Sequence, residues 1–269
     1  MLLITAWLVS SVGHGNIAGA ENSGPPTSQS ASVKRFAWKV KSSSAEVTML
    51  GSIHAGKPEM YPMPKEIESA FAAAYTLVVE VDIRNQNQAS IINLIKEKGM
   101  YSDDDNLFKH IKPETQEAVA SFCTTYRLPV EAAQKMRPWM FVLTATTLPL
   151  MKSGYKPELG VDYYFLNKVK SPMKVKQLES ADFQIKLLSS IPENQADLFI
   201  SETVKEVKDS EKNSLALQQV WLSGDESKLL GFIKEHDDFP GDFGKKIFDD
   251  RNKTMTDSIA KILKGTGKS

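Results

Sequence analysis

The sequence VTMLGSIH at residues 47–54, followed by LVVEVD at residues 77–82, indicates the architecture of this chain. Each segment is a short apolar run rich in β-branched residues, which is typical of a buried strand. His54 ends the first run, and Glu80 and Asp82 end the second. Because these side chains can bind a metal or move protons, the two segments predict strands that carry reactive groups to one edge of a sheet.

The residues around these runs predict a hairpin and a βαβ unit. Residues 36–41 and 46–50 alternate around a polar turn, as the strands of a hairpin do. After the second run, apolar residues recur at the spacing of an amphipathic helix, at Ile67, Ala70, Phe71 and Ala74. In βαβ sheets ligands bind beyond the carboxyl ends of the strands, which is where His54 and Glu80 are expected.

Strand alternation predicts that Glu80 and Asp82 share one face. A carboxylate out of water must be paired, protonated or metal-bound. One interpretation is structural: the carboxylates cap a helix or pair with Lys or Arg, and His54 is an ordinary structural histidine. The other is a metal or acid–base site that uses these residues together.

Composition excludes some classes of function. The chain has 269 residues, 41% hydrophobic and 25% charged, and its 33 Lys and Arg balance 33 Asp and Glu. These values are ordinary for a soluble globular protein with a sizeable core, and they offer no basic field for nucleic acid. The lone cysteine, Cys123, is expected to be a small buried apolar residue.

The amino terminus predicts export. Residues 2–12 are an apolar run followed by small residues that end in Ala18-Gly19-Ala20, as in a signal peptide cleaved after Ala20. We therefore predict a signal peptide at residues 1–20, a disordered linker at 21–34 and a single domain at 35–269, with the mature protein periplasmic or secreted. The run is shorter than the roughly 20 residues of a spanning helix, so no stable membrane span is expected after cleavage.

The pattern in the rest of the chain predicts mostly helices. Helical spacing covers residues 91–98, 113–126, 130–136 and 139–150, and further helices follow residue 182, the last from about 243 to 263. A short strand is expected at 175–178. Glu158 and Asp162 lie at a helix start, where complementation of the helix dipole is favoured over a catalytic role.

A set of short motifs, in order along residues 36–265, resembles the TraB/GumN family, which is related to the TIKI metalloproteases. The motifs are GSIHAG at 51–56, YPMP at 61–64, VEVD at 79–82, RPW at 137–139, GY at 154–155, ELGVD at 158–162, LE at 178–179 with Gln184, Trp221 with GD at 224–225, and RN at 251–252.

The resemblance implies an α/β fold with a central mixed β-sheet flanked by many α-helices, similar to erythromycin esterases. It also implies a divalent-metal-dependent, peptidase-like hydrolase that uses Mn, Co or Zn. Carried onto this chain, the metal ligands are His54, Glu80 and Asp82. The catalytic residues are Glu80 as ligand or general base, Arg251 on an oxyanion, and Glu158.

One family motif is missing from the chain. A second GxxH is expected beyond the segment that ends at Ser269, so the resemblance implies a domain truncated at its C-terminus and an incomplete site, with loss of activity as one expected consequence. His110 and His236 lack a glycine three residues earlier and are expected at the surface.

Alternative functions stay open at this point. One is metal-free hydrolysis by His and Glu as acid and base, on a peptide or small-molecule substrate. Another is a non-enzymatic peptide- or pheromone-binding protein of the cell envelope, which needs no complete metal shell. Ser52 as a nucleophile is disfavoured, because the chain has no Gly-x-Ser-x-Gly elbow there.

Overall fold

The computed structural model describes residues 35–84, 87–236 and 243–269. The predicted signal peptide and linker, residues 1–34, lie outside the described residues. The single domain at 35–269 stays a prediction, since nothing in the structure tests its boundaries.

Three of the five described strands lie before residue 80, and the rest of the described chain is mostly helical. The strands are β1 (Ala37–Lys41), β2 (Ala45–Leu50), β3 (Thr76–Val79), β4 (Lys174–Gln177) and β5 (Gly267–Lys268). The helices are α1 (Lys65–Ala72), α2 (Gln88–Gly99), α3 (Pro113–Tyr126), α4 (Val130–Lys135), α5 (Pro138–Lys152), α6 (Val161–Leu166), α7 (Ala181–Leu188), α8 (Ala196–Val207), α9 (Ser210–Ser223), α10 (Glu226–His236), α11 (Phe243–Lys245) and α12 (Arg251–Leu263). The predicted α/β class with many helices is confirmed.

The first sheet is mixed, as predicted. β1 and β2 form the expected antiparallel hairpin, in which Trp38 pairs with Met49. β5 lies parallel to β2 along its other edge. The inward side chains Ala45 and Val47 are buried, whereas their neighbours on β2 are half-buried, which is the alternation expected of a strand with one covered face.

The strand pairing departs from the predicted central sheet. Within the described residues the strands form two sheets, β1-β2-β5 and β3-β4, and the second is parallel. The predicted order of β2, α1 and β3 is correct, but β2 and β3 do not pair with each other. The expectation of one central sheet was therefore wrong in this detail, because a slot separates the two strands.

The helices enclose the main apolar core. The core residues of α5 cover more than one face, as its nearly uninterrupted apolar sequence predicts, and include Phe141, Val142 and Ala145. Phe199 and Ile200 of α8 pack into the same cluster. Each such side chain stabilises the fold by about 1.5–3 kcal/mol relative to leaving it exposed.

A separate apolar cluster supports the strand ends. Phe36, Ile53, Met60 and Trp221 are all buried there. The indole N–H of Trp221 donates to the carbonyl oxygen of Gly51 at 2.8 Å. This bond holds the backbone turn that follows β2 and precedes His54.

The sequence also predicted where the cysteine and two histidines lie and whether a helix spans a membrane. Cys123 is buried, as expected. His110 is half-buried rather than on the open surface: its ring stacks on Tyr101 and its Nε2 lies 2.9 Å from the Asp105 carboxylate. The side chain of His236 lies outside the described part of the chain. Among the described helices, none combines the length and the apolar character required to cross a bilayer.

Candidate functional site

Close backbone packing places His54 at the site. A Cβ atom at Gly160 would lie 2.3 Å from the carbonyl oxygen of His54, so only glycine fits there without displacement. Beside it, the backbone N–H of Val161 donates to the carbonyl of Ile53 at 2.9 Å. The loop after β2 is thereby fixed against the first turn of α6.

Asp162 lies next to His54 as a result. The hydroxyl of Ser52 donates a hydrogen bond to Oδ2 of Asp162. His54 Nδ1 lies 3.7 Å from the same oxygen, and its side chain is 40% exposed. The imidazole of His54 and the carboxylate of Asp162 therefore lie within ion-pair distance of each other.

Glu80, just after β3, is held in a buried network. Its Oε1 accepts hydrogen bonds from Nη2 of Arg251 and Nε2 of Gln184. Arg251 also donates from Nε and Nη2 to the carboxylate of Glu179, at 2.8 and 2.6 Å. Because one guanidinium joins both carboxylates, the position of Glu80 is set by residues of β3, α12 and the end of β4.

The other oxygen of Glu80 has a different environment. Glu80 is 4% exposed, and its Oε2 has no hydrogen-bond partner among the described residues. Burial raises the pKa of Glu80 above its ordinary value, and the positive charges of His54 and Arg251 offset part of that rise. A buried carboxyl oxygen without a partner is uncommon in folded proteins, and buried carboxyl groups with a shifted pKa cluster at functional sites.

His54, Glu80 and Asp162 line a common cleft of about 580 Å³. The remaining walls are mostly apolar and come from residues after β3, from α2, from α6 and from the start of α7; they include Ile83, Ile91, Ile92, Tyr163 and Ala181. The cleft lies at the carboxyl ends of β2 and β3, which is where the sequence predicted a site.

Asp82 is not part of this cleft lining. Its carboxylate pairs with Arg84, whose Nε and Nη2 lie 3.1 and 3.2 Å from its two oxygens. Glu80 and Asp82, predicted to act together, thus contact different partners. The pairing corresponds to the structural alternative for Asp82, and its role as a metal ligand stays a prediction.

The other residues predicted as catalytic lie at different depths. Glu158 is exposed in a short 3-10 turn and does not line the cleft. Arg251 is 3% exposed, with its guanidinium against Glu80 and Glu179. These contacts fit a residue that positions Glu80. Direct contact of Arg251 with an oxyanion, and catalysis by Glu158, stay predictions.

The fit of a divalent metal can be judged from the donor atoms. In residues 35–84, 87–236 and 243–269, no group of three or more His, Cys, Asp or Glu side chains is arranged to hold one. His54, Asp162 and Glu80 share the cleft, but Oε1 of Glu80 already accepts bonds from Arg251 and Gln184. As arranged, these residues do not form a three-ligand site.

Sequence reasoning missed the roles of Asp162 and Glu179. The sequence alone favours a helix-dipole role for Asp162, but its position two residues after Gly160, which contacts His54, makes it a neighbour of the imidazole. Glu179 and Gln184 were noted only as parts of a motif. In the structure, Gln184 donates hydrogen bonds to both Glu80 and Glu179. The signal for this network in the sequence was the spacing of five residues between Glu179, at a strand end, and Gln184, near a helix start.

The fold and the site together define an α/β protein with a histidine and two carboxylates in a cleft at its strand ends. Residues 36–269 match the sequence profile of the TraB/PrgY/gumN family. The chain therefore belongs to this family, which confirms the resemblance found in its motifs.

Curated relatives carry no assigned activity in their names. The chain is 28% identical over 151 residues to the uncharacterised protein YbaP of Escherichia coli (strain K12). The matched residues make up 54% of this chain and 52% of that protein. The same identity and coverage hold for YbaP of Shigella flexneri. The chain thus spans about half the length of these curated relatives. No solved structure matches it significantly.

Proposed function

We propose that the chain is an exported hydrolase that cleaves a peptide or small-molecule substrate in the cleft lined by His54, Glu80 and Asp162. The observation that supports the proposal is the buried Glu80, whose Oε2 has no partner among the described residues, in the same cleft as an exposed imidazole. A carboxyl group with a raised pKa in a cleft is a common property of a general acid or base.

Hydrolysis requires one group that removes a proton from water and one that gives a proton to the leaving group. In this proposal His54 takes the proton, and Asp162 stabilises the resulting imidazolium. The water oxygen bonds to the carbonyl carbon while the bond to the leaving nitrogen or oxygen breaks. Glu80 donates its proton to that leaving atom, and the proton on His54 returns to Glu80 through solvent.

The apolar walls of the cleft supply the binding energy for an uncharged part of the substrate. Ile92 and Ile83 are 62% and 40% exposed in the free protein, and both line the cleft. Covering them with substrate removes apolar surface from water, at roughly 25 cal/mol per Å². Excluding water there also strengthens the electrostatic effect of Asp162 on His54.

The family resemblance also implies a divalent metal, Mn, Co or Zn, which we keep as a proposal to be tested. His54 and Asp162, 3.7 Å apart, and Glu80 are the cleft residues with suitable atoms. When bound, such an ion would polarise the substrate carbonyl. The steps above do not depend on it, because the donor set does not form a complete site.

A second candidate is a non-enzymatic peptide-binding protein of the cell envelope. The observation that favours it is that Glu80 Oε1 is already bonded to Arg251, which leaves the site short of metal ligands. A cleft with apolar walls and a few polar groups is sufficient for binding. In either case the predicted signal peptide at residues 1–20 directs the protein to the periplasm or out of the cell.

The experiment uses a pool of internally quenched decapeptides as the probe, incubated with the purified protein with and without a chelator. Cleavage that survives the chelator supports the acid–base steps. Cleavage that is lost with the chelator and restored by Mn²⁺, Co²⁺ or Zn²⁺ supports the metal-dependent form. Saturable binding without cleavage contradicts the hydrolase proposal and supports the binding protein.

A further inference from the structure

The side of the protein opposite the cleft is formed by the amino-terminal ends of β2, β3 and β4. Short contacts join the segments there. The N–H of Lys174 donates to the carbonyl of Tyr75 at 2.9 Å, and a Cβ atom at Gly267 would lie 3.3 Å from the Tyr75 ring. The hydroxyl of Ser44 donates to the carbonyl of Gly265 at 2.7 Å. Together these segments form the basal face, made up of residues 42–44, 73–75, 170–176 and 264–267.

The basal face carries lysines that have no carboxylate partner. Residues 163–178 include four lysines and no acidic residue, although the whole chain has no net charge. Three of the four are exposed, and no carboxylate in the described part of the chain pairs with them; they are Lys170, Lys174 and Lys176. The excess of positive charge on this face is therefore local and open to a partner.

The strand geometry aligns two of these lysines. Lys174 and Lys176 lie on the same side of β4, with their α-carbons roughly 6.6 Å apart at the rise of a strand. Val175 between them is half-buried, whereas both lysines are exposed. Lys264, which follows α12 and precedes Gly267 by three residues, is another exposed lysine of this face.

Acidic side chains near the basal face are already paired. Glu46 of β2 lies within 3.3 and 2.8 Å of Lys39 and Lys41. Glu68 of α1 lies 2.7 Å from Lys168. These pairs neutralise the acids and leave the lysines of residues 170–176 uncompensated.

Protection of a sheet edge accounts for only part of this pattern. In the described part of the chain β4 pairs with β3 alone, and lysines on an edge strand commonly block pairing with another chain. Lys170 and Lys264 do not lie on a strand, and neither does Tyr75, whose side chain is 68% exposed. An exposed tyrosine among lysines matches the interface of a lipid bilayer, where aromatic rings lie at the level of the headgroups.

We propose that the basal face docks on a membrane surface rich in anionic phospholipid. The ammonium groups of the lysines are attracted to the phosphate headgroups, and the ring of Tyr75 enters the headgroup layer with its hydroxyl in water. This inference goes beyond the proposed function, because it assigns a location to the protein and does not depend on any reaction in the cleft.

The geometry of the strands leaves the cleft clear of the membrane. β2 has six residues and spans about 20 Å between the basal face and the end that leads to His54. This separation exceeds the Debye length of about 8 Å in physiological salt, so the carboxylates of Glu80 and Asp162 do not oppose docking.

Co-sedimentation with vesicles tests the docking. The full chain is mixed with vesicles of phosphatidylglycerol, which is anionic, or of phosphatidylcholine, which has no net charge. Tighter binding to phosphatidylglycerol is expected, with loss of that preference as salt is added. Insertion of the apolar residues 2–12 would be equal on the two lipids, so the preference isolates the charge. Equal affinity for both lipids, or binding to neither, overturns the inference.

Removal of the lysine charges locates the contact. The triple variant Lys170→Gln, Lys174→Gln and Lys176→Gln is expected to bind phosphatidylglycerol vesicles roughly 100-fold less tightly, since each lysine near an anionic surface contributes about fivefold. All three positions are exposed, so the variant is expected to keep the circular dichroism of the wild type.

The matched control removes the same charge elsewhere. Lys208→Gln, Lys212→Gln and Lys234→Gln change exposed positions on or next to α8, α9 and α10, which pack against α3, α5 and one another. This variant is expected to bind within about twofold of the wild type, because distant charges are screened. Equal losses of affinity in the two triple variants contradict docking through the basal face.

Polyphosphate in solution is the second probe, because it separates a lipid surface from a soluble polyanion. Tyr75→Ser is expected to weaken binding to the vesicles but not to polyphosphate, since the ring contacts only the headgroup layer. A chain that binds polyphosphate through residues 170–176 but does not sediment with phosphatidylglycerol vesicles overturns the inference.

Discussion

The α-carbon of Gly160 faces the carbonyl oxygen of His54 so closely that a Cβ atom would lie 2.3 Å from it. The contact joins the loop after β2 to the start of α6, and it is backed by the hydrogen bond from Val161 to Ile53. Since the obstacle is backbone and not a flexible side chain, the chain can accommodate a methyl group only by moving the loop that carries His54.

Gly160→Ala is therefore expected to lower the free energy of unfolding by about 1–3 kcal/mol, as overpacking does. The matched control is Gly231→Ala in α10, where a Cβ meets nothing within 4 Å. That change is expected to stabilise by about 0.5–1 kcal/mol, because alanine is the better helix residue. Urea unfolding of both variants checks this, and a Gly160→Ala protein as stable as wild type would disprove the close contact.

Trp221→Phe removes the indole N–H that bonds to the carbonyl of Gly51. Trp221 is fully buried, so the carbonyl would lose its partner away from water, at a cost of about 1–3 kcal/mol. Trp38→Phe is the control, because the indole of Trp38 bonds to Glu226 at an exposed site. Thermal unfolding should show the larger drop in Tm for Trp221→Phe; equal drops would contradict the account.

Arg251→Met leaves Glu80 and Glu179 buried without their shared cation. Breaking a buried ion pair from one side costs about 3–5 kcal/mol. Lys168→Met removes a cation from the partly exposed pair with Glu68 and should cost no more than about 1 kcal/mol. Denaturant midpoints of the two variants test the difference, and similar losses would argue that Arg251 does not hold Glu80.

Glu80→Gln tests the raised pKa of this carboxyl through the pH dependence of stability. The folded protein binds the Glu80 proton more tightly than the unfolded chain does, because burial raises the pKa. Stability from this group is thus complete below the ordinary glutamate pKa and is lost as pH rises through the raised value. Wild type should lose stability relative to the variant as pH rises above the ordinary glutamate pKa of about 4.3. A constant difference would show that the pKa is not raised.

Much of the fold followed from local patterns in the sequence. The hairpin, the amphipathic spacing of α1 and the β-branched runs of β2 and β3 reflect packing against a nearby surface, which periodicity records directly. His54 and Glu80 line one cleft at the ends of β2 and β3, as expected, although the two strands belong to different sheets. The separation of β2 from β3 was not predictable, because strand pairing depends on which distant segment occupies each edge.

The details of the site depended on contacts between distant residues. One interpretation of the sequence was that Asp82 and Glu80 act together in a site. In the structure the carboxylate of Asp82 pairs instead with Arg84, two residues later. Asp162 reaches His54 across more than a hundred residues because Gly160 allows close packing. Local sequence shows which residues can be reactive, whereas tertiary packing decides which of them share a cleft.

The most direct test of the account compares initial rates of cleavage of the quenched decapeptide pool by wild type and three variants. His54→Ala and Asp162→Asn should each lower the rate, His54→Ala by about 10²–10⁴-fold, since a general base typically contributes that much. Asp103→Asn, whose carboxylate is fully exposed and pairs with Lys135, should cleave at the wild-type rate. Circular dichroism confirms that each variant is folded. Wild-type rates from a folded His54→Ala protein would contradict the assignment of this cleft as the active site.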